Sequence, residues 1–105
     1  MGYVVVFDSE TESGINYENN VIDAWRYLYA LVGCEVTHFY DTEINTIQVV
    51  RANSNYALEL IQKYTPYKPV KPIAAFLVRY LTKDGKVDRE YYIALVEIRE
   101  NKDHT

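Results

Sequence analysis

The chain has 105 residues, of which 49% are apolar and 25% charged. That is the size and composition of one folded domain and excludes a disordered chain. Its single cysteine, Cys34, excludes an internal disulfide, and no apolar run reaches the roughly 20 residues of a membrane helix. The net charge of −4 is unevenly spread: residues 1–45 carry −7 and residues 46–105 carry +3. A partner with positive charge is therefore expected on the N-terminal half.

The N-terminus has no basic region of a secretory signal. Tyr3-Val4-Val5-Val6-Phe7 is a continuous apolar run, as in a strand buried on both faces. Asp8 to Gly14 reads as a loop, and Asn16, Asn19 or Asn20 as a helix cap. Val21, Trp25, Leu28 and Val32 recur at helical spacing, with Ile22, Tyr29 and Leu31 widening the stripe. Gly33 stands where a left-handed terminator would end that helix. Cys34, among apolar neighbours beyond it, reads as a packed thiol.

Val36 to Tyr40 and Thr46 to Arg51 are β-rich runs whose polar link predicts a hairpin. Asn53 or Ser54 caps a second helix with Ala57, Leu58, Ile61 and Tyr64 on its apolar side; Pro66 ends it. Pro66, Pro69 and Pro72 recur every third residue, the period of a polyproline turn, so this segment reads as a stiff extended crossover.

Ile73 to Thr82 and Val87 to Arg99 read as two long strands around Lys83-Asp84-Gly85-Lys86. A two-residue Asp84-Gly85 turn sets Lys83 opposite Lys86, Arg79 opposite Glu90, Leu77 opposite Tyr92 and Phe76 opposite Ile93. Both faces of this hairpin are then apolar. Residues from Asn101 to Thr105 read as a frayed tail.

The expected architecture is α+β: a five-stranded, mainly antiparallel sheet with two helices on one face, in a single domain spanning 1–105. With both helices on one face, the other needs cover. A homodimer through the sheet, with Leu77 and Tyr92 at its interface, is the simplest solution.

Several groups could carry chemistry. Asp8, Glu10 and Glu12 alternate after the first strand, and hard oxygen ligands so placed can hold a divalent cation. The run Val-Val-Phe-Asp-Ser-Glu-Thr-Glu-Ser resembles the first motif of the DEDD exonucleases, which implies a metal-dependent nuclease. In that family the acidic strand continues into a hairpin, whereas here a helix is expected, and the family's later motifs are absent. The same stretch partly matches an EF-hand calcium loop, but its glycine, Gly14, is one residue late and Asn19 replaces the bidentate Glu. Three acids and one glycine in this loop repel phosphate, which argues against a nucleotide or nucleic acid there. Lys68, Lys71, Lys83 and Lys86 with Tyr64 and Tyr67 form the alternative, a basic-aromatic patch for nucleic acid. His38 on the expected second strand reads as structural, and two separated histidines with one cysteine give no zinc spacing.

The remaining pattern is Asp8, Glu10, Glu12, Glu18 and Asp23, five acids and no base over sixteen residues. Acidic surfaces steer onto basic ones, often those that hold nucleic acid. Tyr17, Tyr27 and Tyr29 could serve as anchors. Eleven tyrosines are equally consistent with interface use and with an AT-rich genome. The plainer reading is that the acids solvate one edge and favour a helix N-terminus.

The acidic Asp8–Asp23 stretch, the size and the two-helix, five-strand order are similar to those of the type I-D anti-CRISPR protein family of archaeal rod-shaped viruses. That resemblance implies a dimeric sheet protein in the host-cell cytoplasm that inhibits the large subunit of a CRISPR interference complex. No functional residue is carried over from it; no cofactor and no catalytic residue are expected. The sequence thus predicts a non-catalytic inhibitor that docks on a basic host protein through Asp8, Glu10, Glu12, Glu18, Asp23 and Tyr17, with no membrane or nucleic-acid partner.

Overall fold

The computed structural model describes residues 2–38 and 44–99. In chain order these form β1 (Gly2–Ser9), β2 (Ser13–Glu18), α1 (Val21–His38), β3 (Ile44–Arg51), α2 (Asn55–Tyr64), β4 (Lys68–Thr82) and β5 (Val87–Arg99). The five strands make one antiparallel sheet in the order β2-β1-β5-β4-β3. The α+β class and the five antiparallel strands are as expected. Within the described residues, no helix is long and apolar enough to cross a membrane.

The helices, however, do not share a face. Along β1, Val4 and Val6 pack with Ala57 and Ile61 of α2, whereas Val5 packs with Ala24 and Leu28 of α1. Along β5 the same alternation divides Tyr92, Ala94 and Val96 from Tyr91, Ile93 and Leu95. Side chains alternate across a strand, so a run apolar at every position needs cover on both sides. Here one helix covers each side. The expected uncovered face is filled from within the chain: Leu77 packs under α2 and Tyr92, 7% exposed, belongs to the same cluster. Tyr92 is thus a core residue of the monomer, whereas Leu77 is half-buried against the same cluster, so α2 covers part of the face on which the dimer contact was expected.

Two elements differ from expectation, and the errors cancel in the strand count. The segment Ser13–Glu18 is strand and not loop, paired from Tyr3↔Glu18 to Asp8↔Ser13 without a register break. Gly14 lies opposite Phe7, whose ring comes within 2.8 Å of where a Cβ would sit on Gly14. The ring covers the glycine's bare backbone, which lets a weak β-former hold a strand position. Conversely, the expected strand from Val36 begins inside α1, which runs through Gly33 to His38. A glycine costs a helix interior only about 1 kcal/mol, so Gly33 does not by itself stop one. The rest of that expected strand and the expected tail lie outside the described residues, as do the side chains of Cys34 and His38. β3 pairs with β4, and the described part of its expected hairpin partner, residues 36–38, is helical.

Asn20 caps α1. Its side-chain oxygen accepts the Asp23 amide N–H at 2.9 Å, and its amide donates to the Asp23 carboxylate at 2.9 Å. Ile22 and Tyr29, 62% and 67% exposed, face solvent and leave Ala24 and Leu28 as the buried seam. At the end of α2, the Thr65 amide and hydroxyl both donate to the Ile61 carbonyl, at 3.0 and 2.7 Å. Thr65 is extended, as a residue before proline prefers.

The proline segment is extended but belongs to β4, which begins at Lys68. Register shifts at Pro69/Lys71 and Pro72/Ala74 accommodate residues that lack an N–H. The β4–β5 register is as expected at Arg79↔Glu90, Leu77↔Tyr92 and Phe76↔Ile93. The turn is not. Gly85 N–H donates to the Thr82 carbonyl and Thr82 N–H to the Lys86 carbonyl, so the loop has three residues and Gly85 is left-handed at φ 82°. A register shift between Tyr80 and Leu81 restores the pairing that a two-residue turn would have given. Gly85→Ala meets no neighbouring atom but must adopt that φ, so it should destabilise the protein by about 1–2 kcal/mol in urea titrations.

Candidate functional site

The expected acidic surface divides in the fold. β2 separates Glu12 from Glu18 by roughly 20 Å along the sheet. The faces differ too: Asp8 lies on the α2 side with Val4 and Val6, while Glu18, opposite Tyr3, lies on the α1 side. Glu18 accepts a hydrogen bond from Asn16 Nδ2. Asp23 is engaged by Asn20 and sits 3.8 Å from Arg26. Its carboxylate serves the first turn of α1. Tyr17 stacks on Tyr67 with ring centroids 5.4 Å apart, on the α2 side. Tyr27 packs against the α1 cluster, leaving Tyr29 as the exposed member of the three.

Glu10 and Glu12 remain together, at the tip of the β1–β2 hairpin. Ser9 organises that tip. Its hydroxyl donates to the Glu12 carbonyl at 3.0 Å and accepts the amides of Thr11 and Glu12 at 3.3 and 3.2 Å. The Ser9 amide donates to the Glu12 carbonyl at 2.8 Å. Such side-chain to backbone bonds fix a turn that has little else to hold it.

The tip borders a cleft of about 350 Å³ that sequence order did not reveal. Phe7, Leu31 and Tyr91 contribute apolar surface, and Asp88, Arg89 and Glu90 from the start of β5 join Glu10 and Glu12. The Tyr91 hydroxyl donates to the Leu31 carbonyl at 3.4 Å, tying α1 to the cleft. Arg89 lies 4.0 Å from Asp88, and Arg79 pairs with Glu90 at 3.1 Å. Among the described residues, no ion pair engages Glu10 or Glu12, and both are exposed. They are the uncompensated charges of this end. Sequence reading assigned Asp88 and Glu90 to the basic half; only the antiparallel return of β5 beside β1 brings them here.

Asp8 has a different role. It accepts a hydrogen bond from the Tyr56 hydroxyl of α2, and Tyr56 meets Tyr92 edge-on with centroids 5.1 Å apart. Loss of the donated proton and the adjacent carboxylate charge push the Tyr56 phenol up to about 12. The folded state holds that proton more tightly than the unfolded chain does. The resulting stabilisation is present below pH 10 and is lost as pH rises towards 12. Tyr56→Phe should therefore flatten the fall in thermal midpoint over that interval, measured against the parent chain.

The β1–β2 hairpin gives the acidic strand the continuation that the exonuclease motif has, contrary to the helix expected there. Even so, among the described residues no three His, Cys, Asp or Glu side chains are arranged to hold a metal ion. The lysines of the expected basic patch also separate. Lys68 and Lys71 start β4, whereas Lys83 and Lys86 flank its far end, roughly 40 Å away. Lys63, absent from the expected set, lies over the Tyr64 ring at 5.2 Å.

A second, apolar groove of about 500 Å³ runs between β2 and the end of α2, lined by Ile15, Tyr17, Leu60, Tyr64, Pro66 and Tyr67 among others. No protein-family model, curated protein or solved structure matches this chain.

Proposed function

We infer that the protein is a non-catalytic binding protein that docks on a basic partner through the hairpin-tip cleft. One observation carries this reading: Glu10 and Glu12, held by the Ser9 turn and free of ion pairs among the described residues, stand beside a cleft with an apolar floor of Phe7, Leu31 and Tyr91. Apolar surface rimmed by charge is the usual construction of a protein interface. Carboxylates at such a rim accelerate encounter with a cationic surface. The partner class follows from that chemistry: a host protein whose basic surface handles nucleic acid. By its resemblance to the type I-D anti-CRISPR family, the chain acts as a viral inhibitor of such a defence complex, with the complex's large subunit as target. Glu18, Asp23 and Tyr17 do not line this cleft.

The test is an affinity capture from host lysate at low and at high salt, with manganese titration of the purified chain alongside. A nucleic-acid-handling complex retained at low salt and released at high salt supports the reading. Saturable thermal stabilisation by manganese, with no protein captured, replaces it with a metal-dependent activity of the acidic residues.

A further inference from the structure

The outer edge of β2 is the least protected edge of the sheet. β3, at the other margin, carries a register shift between Ile44 and Thr46 and ends in Arg51. The part of β4 beyond the end of β3 carries Pro69, Pro72, Lys68 and Lys71, with two register shifts. Prolines, lysines and bulges are the devices that stop a strand edge from pairing with another chain. The strand Ser13-Gly14-Ile15-Asn16-Tyr17-Glu18 contains no lysine or proline and pairs with β1 over six consecutive residues without a shift. Directly beside it lies the groove of about 500 Å³, bounded on its far side by Leu60, Tyr64, Pro66 and Tyr67. A strand edge and a helix-walled apolar groove in parallel are the two parts of β-strand addition: the edge supplies main-chain hydrogen bonds, and the groove receives alternate side chains.

We propose that β2 and the groove between it and α2 receive an extended segment of a basic partner protein as a sixth strand, with apolar side chains seated among Ile15, Tyr17 and Tyr64. Charge selects this occupant. Glu12 and Glu18 bracket the edge, and among the described residues no lysine or arginine lines the groove. Antiparallel pairing of β2 with a second copy would bring Glu12 of one chain opposite or diagonal to Glu18 of the other at both ends. Like charges so placed oppose pairing. An incoming strand with lysines on one face and apolar residues on the other meets both carboxylates and the groove. The inference deepens the basic-partner reading and rests on it for the partner's charge, but it uses a surface that shares only Glu12 with the cleft among the residues named.

The experiment measures residue-level amide exchange of the full chain with and without the capped peptide Lys-Val-Lys-Val-Lys-Val-Lys, and with its glutamate counterpart. The lysine peptide should slow exchange at alternate residues of β2 by at least fivefold, leave β3 unchanged, and bind about fivefold more weakly to Tyr64→Ala. Tyr64 is 64% exposed, so that variant keeps its fold. Glu18→Lys should remove the preference for the lysine peptide. Unchanged β2 exchange overturns the proposal. Equal protection by both peptides overturns the charge selection, and protection rising with protein concentration alone means that a second copy is the occupant. A captured basic partner that leaves β2 exchange unchanged would overturn this inference while sparing the cleft. Peptide protection without any captured partner would do the reverse.

Discussion

Replacing Tyr92 by glutamate should remove a large part of the protein's stability. The side chain is 7% exposed, between β5 and α2. Its hydroxyl donates to the Asn53 carbonyl at 2.7 Å and accepts the Ala57 amide at 3.3 Å, joining the sheet to the first turn of α2. Burial raises the phenol's pKa, and the Ala57 amide only partly opposes that. This site already disfavours a negative charge. A carboxylate there stands opposite Asp8 on β1 and loses the ring's packing, at a cost of about 3–5 kcal/mol. A domain of this size holds in total about 5–15 kcal/mol. Tyr92→Phe keeps the ring and loses the two hydrogen bonds, so about 1–3 kcal/mol is expected. Circular dichroism and urea titration separate these cases. A glutamate variant that keeps the parent chain's stability and merely changes oligomeric state would place Tyr92 at a subunit interface and not under α2.

The second large effect is kinetic. Glu10→Lys with Glu12→Lys should slow association with a basic partner by about 10–100-fold at low salt. The difference from the parent chain should shrink as salt screens it. Both side chains are exposed and their turn is held by Ser9 and by backbone, so folding stability should change by no more than about 0.5 kcal/mol. Asp8 is left unchanged because its bond to Tyr56 would mix a stability effect into the measurement. Stopped-flow or surface-based association rates read the outcome. An unchanged on-rate at low salt would remove the cleft from the docking surface.

Much of the local structure was legible because it depends on near neighbours. The existence of α1 with Leu28 in its seam, the amphipathic α2 ended before Pro66, and the long β4–β5 ribbon all follow from periodicity and turn chemistry, whereas Ala24 replaces Ile22 and Tyr29 in the buried seam. The register Arg79↔Glu90 was legible for a partly accidental reason: a three-residue loop and a later register shift offset one another. β2 was not legible, because Gly14 and Asn16 are poor β-formers and Phe7 supplies from the neighbouring strand the cover that Gly14 lacks. The end of α1 was not legible either, because β-branched Val36 and Thr37 have local preferences that compete with helix.

The candidate sites divide in the same way. Sequence order marked Glu10 and Glu12 as neighbouring charges, and that survives because a four-residue turn keeps them together. It could not show that Asp23 is engaged by Asn20, Asp8 by Tyr56, or that Asp88 and Glu90 return to the same cleft. By itself the sequence determined that there would be an antiparallel sheet, two amphipathic helices and strands apolar on both sides, since these rest on side-chain alternation and helical spacing. Only the tertiary structure decided that the helices take opposite faces, that Tyr92 is interior, and that β2 is the open edge. Those outcomes depend on which distant segments meet, and contacts between residues far apart in the chain leave no periodic trace within any one of them.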